Sequence, residues 1–77
     1  MKNRIRLDTV DDVKKFVSVV KDVEVPVVIT DGHFKVNGKS LLGLMYGMSE
    51  FDNLWVECEK DIYTHIKDFV IDASAEV

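Results

Sequence analysis

Seventy-seven residues, 47% of them apolar, with a formal net charge of -4, are enough for one small folded domain spanning 1–77 and too few for two. The acidic balance argues against a broad nucleic-acid surface, and no apolar run approaches the roughly 20 residues that a bilayer-spanning helix needs. The single cysteine excludes an internal disulfide and a multi-cysteine metal site, and it fits a reducing cytosol.

Asn3 to Leu7 alternates polar and apolar residues and reads as a half-buried first strand. The basic stretch before it runs into acids rather than an apolar segment, so it does not read as a secretory leader. A soluble, cytoplasmic chain is expected. Thr9 can cap a helix whose first turn holds Asp11 and Asp12, where the helix dipole favours acids. Val10, Val13, Phe16, Val17 and Val20 then recur at helical spacing on one face. Valine is a weak helix former, so tertiary packing must hold this helix.

Pro26 opens a new element, and Val27-Val28-Ile29-Thr30 is β-branched and strand-like. Asp31-Gly32 signals a turn, and Phe34-Lys35-Val36 returns as the hairpin partner. Ser40 stands before Leu41-Leu42-Gly43-Leu44-Met45-Tyr46, which suits one or two helical turns with Gly47 as the C-cap. Phe51 to Glu57 reads as a fourth strand. Asp61 begins a last helix lined by Ile62, Ile66, Phe69 and Val70, and a frayed tail follows from Asp72. The expected order is β-α-β-β-α-β-α, an α+β domain with its helices on one side of a single sheet.

The segment Val36-Asn37-Gly38-Lys39-Ser40-Leu41-Leu42-Gly43-Leu44-Met45 resembles the regulatory serine region of the HPr phosphocarrier family. There a strand ends in Val-Asn, and Lys-Ser opens a short helix of the form apolar-apolar-Gly-apolar-Met. A looser resemblance in element order and apolar spacing extends over residues 4–71. It implies an open-faced sandwich, a four-stranded antiparallel sheet with three helices on one face. In HPr proteins a histidine at the start of the first helix accepts phosphate from enzyme I of the sugar phosphotransferase system. The matching position here is Thr9, with Asp11 in place of an arginine and Asp12 in place of a proline. A threonine cannot form a labile phosphoramidate, and an acid where arginine would pair with phosphate repels it. The chain is thus similar to the catabolite-repression HPr proteins, which also lack the histidine and keep the serine. Gly38 before the Lys39-Ser40 pair and an extra residue in the Asp31-Gly32-His33 turn depart from that pattern.

Ser40 is independently suited to capping the short helix. The resemblance adds regulatory phosphorylation by an ATP-dependent serine kinase, and a helix N-terminus stabilises a phosphate there. Leu42, Met45 and Met48 form the expected docking patch for a protein partner, the serine kinase or a transcription regulator, whereas Leu41 and Leu44 are expected in the core. His33 and His65 read as surface imidazoles without neighbours at ligand spacing. Cys58, between Glu57 and Glu59, reads as structural rather than reactive. Asp8, Asp11 and Asp12 read as a solvated first turn, and Trp55, Phe51 and Tyr63 as packing aromatics. No glycine-rich phosphate loop, nucleophile elbow or paired-acid arrangement occurs. The expectation is therefore no enzyme, cofactor, metal, membrane or nucleic acid, and a monomer or weak homodimer. Two competing readings are an assembly module that kept only the fold and a small-molecule-binding regulatory domain.

Overall fold

The computed structural model describes residues 2–72. Along the chain it forms β1 (Lys2–Ile5), α1 (Val10–Val20), β2 (Val27–Thr30), β3 (Lys35–Asn37), α2 (Leu41–Glu50), β4 (Leu54–Cys58), α3 (Tyr63–Ile66) and β5 (Val70–Asp72). The strands make one antiparallel sheet in the order β3-β2-β4-β1-β5.

Strand residues alternate between two faces. Ile5, Val27, Ile29, Leu54 and Val56 are buried on one of them, joined by Val13, Phe16 and Val20 of α1, Leu44 of α2 and Ile66 of α3. All three helices therefore cover the same face, and the opposite face stays open. On α1 Val13, Phe16 and Val20 are fully buried and Val17 partly, whereas Val10, expected on the same face, is exposed at the first turn, as is Val19 on the outer side. Burial of that stripe offsets the low helix propensity of its valines.

The β2–β3 hairpin is fixed by its turn residues. Gly32 takes a φ of +103°, a conformation that L side chains rarely adopt. The Asp31 carboxylate accepts the N–H groups of His33 and Phe34, both at 2.8 Å, and these donors hold it below the usual carboxylate range. The Thr30 hydroxyl donates to the Phe34 carbonyl at 2.7 Å and accepts the Gly32 N–H at 3.0 Å. These bonds account for the burial of this polar side chain.

Two expectations are corrected at the level of elements. The segment after Asp61 is not one helix. It makes the single turn of α3, then a tight turn with Phe69 N–H on Ile66 O at 2.8 Å, then a fifth strand on the free edge of β1. The spacing of Ile62, Ile66 and Phe69 fits a helix, but the β-branched pair Val70-Ile71 gains more by pairing with an unpaired edge. Phe69 still packs inward, edge-on to Phe16 with ring centres 5.4 Å apart. Asp72 belongs to β5, and the expected frayed tail beyond it lies outside the described residues. The second helix is longer than expected, because Gly47 sits buried within it and Phe51 is the C-cap.

Candidate functional site

Two helix starts and one helix face carry the positions singled out by the sequence. At the start of α1, Thr9 is the N-cap in an extended conformation, and its hydroxyl accepts the Asp12 N–H at 3.1 Å. The Asp12 carboxylate reaches back to accept the N–H groups of Asp8 at 2.9 Å and Thr9 at 3.2 Å. This is a reciprocal capping box, so the N–H groups of Asp8, Thr9 and Asp12 already have internal acceptors, one of them a carboxylate. The bond from the Asp8 N–H, assisted by the Thr9 donors and Lys15, holds the Asp12 carboxyl below the usual carboxylate range.

The sign of the linkage follows. A carboxyl depressed in the folded state stabilises above its unfolded pKa of about 4, and that contribution is lost as pH falls through the lower folded value. Asp12→Asn should therefore lose less stability than the parent chain between pH 7 and pH 3, as read from urea melts. An unchanged acid limb would show that Asp12 does not titrate with folding. Thr9→Ala should lower stability by about 1 kcal/mol through loss of the cap.

The second helix start is built on a ledge between β3 and α2. Asn37 Oδ1 accepts the Lys39 N–H at 2.9 Å, and the Asn37 carbonyl accepts the Ser40 N–H at 3.0 Å. Gly38 donates to the Val27 carbonyl at 2.7 Å, and the Lys39 ammonium donates to the Val23 carbonyl beyond α1. Ser40 is the N-cap, its hydroxyl accepting the Gly43 N–H at 3.1 Å, and it remains partly accessible. The start of α2 holds no acid in its first turn, so a phosphate on Ser40 would meet free N–H dipoles rather than like charge.

Gly38, a departure from the family's pattern, has a local reason. A Cβ there would lie 2.8 Å from Val27 Cγ1 and 2.9 Å from the Val27 carbonyl oxygen. Backbone cannot yield as a side-chain tip can, so Gly38→Ala should destabilise by about 1–3 kcal/mol. A denaturant melt showing no loss would mean that the ledge is looser than described.

The outer face of α2 is apolar. Leu42 is 79% exposed and Tyr46 56%, and Met45 lies between them, partly buried against the core. With offsets of three and four residues these side chains share one helical stripe. Leu44 is fully buried as expected, but Leu41 is 39% exposed. That expectation is corrected, since the inward arc of the helix is filled by Leu44 and Gly47. Met48 lies on the side of the helix toward Leu44 and packs against the core, away from Leu42. Tyr46 was not singled out from the sequence, although its spacing from Leu42 was the available signal.

His33 and His65 are exposed at separate places, the hairpin turn and α3. Cys58 is buried at the end of β4. Among the described residues no group of three His, Cys, Asp or Glu is placed to hold a metal ion, and no helix is long and apolar enough to cross a membrane. No family model, curated protein or solved structure matches this chain. The two helix starts differ in what they offer: at α1 the Asp12 carboxylate folds back on the cap, while α2 opens on a capping serine followed by an apolar stripe exposed at Leu42 and Tyr46.

Proposed function

We propose that this chain is an HPr-like module of the phosphotransferase system that does not carry phosphoryl groups and acts in the cytoplasm by binding a protein partner through α2, with Ser40 as a phosphorylation switch. The observation that supports this most is the Leu42–Met45–Tyr46 stripe, exposed at Leu42 and Tyr46, which begins two residues beyond the Ser40 cap. A partner docked on that stripe would meet Ser40 directly, and a phosphate added there would change the charge at the edge of the contact. Exposed apolar side chains grouped in this way commonly mark docking surfaces. Thr9 in place of the phosphocarrier histidine, closed in a capping box, supports the loss of the carrier role. The partner is an HPr serine kinase or a transcription regulator, and no metal, cofactor or nucleic acid takes part.

Titration of the 15N-labelled chain with an HPr serine kinase tests this reading. Amide signals of Ser40 to Tyr46 should broaden while those around Thr9 stay sharp, and Leu42→Asp should abolish the effect. Broadening centred elsewhere, or none, would reject it. Concentration-dependent shifts along the same stripe without any kinase would instead favour an assembly module.

A further inference from the structure

Asn37-Gly38 is the one Asn-Gly pair in the sequence, and the ledge before α2 is built on it. An asparagine followed by glycine carries its own reaction, because no Cβ on the second residue blocks the approach of its nitrogen. The glycine nitrogen attacks the side-chain amide carbon and gives its proton to solvent base. A new N–C bond closes a succinimide ring as the bond to the side-chain nitrogen breaks, and ammonia leaves. Water then opens the ring to aspartate or isoaspartate and is the only co-reactant. In the folded chain both reacting groups are tied. The Asn37 side chain is exposed, but its Oδ1 accepts the Lys39 N–H at 2.9 Å. Gly38 is buried, and its N–H donates to the Val27 carbonyl at 2.7 Å. The nucleophile is therefore free only when the ledge comes away from β2. The contact with Val27 leaves no room for a Cβ at position 38, so the packing that requires glycine also creates the reactive pair.

We propose that Asn37 is a spontaneous modification site gated by local opening of the β3–α2 ledge, and that its conversion to isoaspartate irreversibly takes apart the start of α2. Isoaspartate routes the main chain through the side-chain carbon. The Asn37 carbonyl that accepts the Ser40 N–H at 3.0 Å then leaves the chain as a free carboxylate. The added methylene also displaces Gly38 from the Val27 carbonyl, where a 2.7 Å bond leaves no slack. Ser40 and its bond from the Gly43 N–H stand directly on this ledge, so a converted chain presents Ser40 in a different setting.

Parent and variant chains are aged in 18O-labelled water at mildly alkaline pH, folded and in concentrated urea. Mass spectrometry of the peptide holding Asn37 reads the conversion, and electron-transfer fragmentation separates isoaspartate from aspartate. The folded chain should convert at least about tenfold more slowly than the unfolded one, because the rate follows the open fraction. Ser40→Ala, which removes the cap on the ledge, should speed the folded chain about fivefold, in line with the loss of one cap. Thr9→Ala loses an equivalent cap at α1 and should leave the rate unchanged, and Gly38→Ala should suppress conversion even in urea. In the isolated isoaspartyl chain, the amide signals of Ser40 to Leu44 should move from their parent positions. No conversion in urea would overturn the site. Equal rates folded and unfolded, no acceleration by Ser40→Ala, or equal acceleration by Thr9→Ala would overturn the local gate. Unmoved Ser40 to Leu44 signals would overturn the consequence for α2.

Discussion

Leu44→Asp should unfold the domain at 25 °C, whereas Leu42→Asp, two residues away on the same helix, should melt within a few degrees of the parent. Leu44 is fully buried in the cluster that joins all three helices to the sheet, and Leu42 is 79% exposed. An unpaired carboxylate in the core has a desolvation penalty of several kcal/mol, against a total stability of about 5–10 kcal/mol or less for a chain this small. A surface substitution typically changes stability by no more than about 0.5 kcal/mol. Thermal melts followed by circular dichroism decide between the two. Collapse of Leu42→Asp would place that side chain in the core and remove the docking stripe from the account.

Phe16→Ala should remove about 3–5 kcal/mol, leaving little or no folded protein at 37 °C. Phe16 is fully buried, and it is the residue through which α1 meets the turn after α3, by the edge-on contact with Phe69 at 77° between ring planes. Phe69→Leu retains apolar volume and loses mainly the ring pair, so about 1 kcal/mol is expected. Guanidinium melts of both variants test this ranking. Equal losses would mean that the α3–β5 segment contributes as much to stability as the α1 core position itself.

The parts of the fold that were legible in the sequence are those fixed by local chemistry. Thr9 and Ser40 cap their helices as their hydroxyls suit, the helical spacing of Val13, Phe16 and Val20 defines the buried face of α1, and Asp31-Gly32 makes the hairpin turn. The misreadings arose where tertiary context decides between two local options. Phe69 and Val70 fit a helical stripe, yet a free strand edge beside them makes Val70 to Asp72 a strand. Leu41 is as apolar as Leu44, and only the direction in which α2 settles on the sheet leaves one exposed and the other buried. The meeting of Lys2 and Lys35 on Glu57 was not legible at all. These residues come from three different strands, and only the pairing register brings them onto one face.

Ser40 and Thr9 make opposite claims about phosphate, and intact-mass measurement with peptide mapping tests both in one experiment. One sample is incubated with phosphoenolpyruvate and enzyme I, the other with ATP and an HPr serine kinase. The account predicts no phosphate in the first sample and a single acid-stable phosphate in the second, mapped to Ser40 and absent from Ser40→Ala. An acid-labile phosphate from the first incubation, or no phosphate on Ser40 from the second, would contradict it.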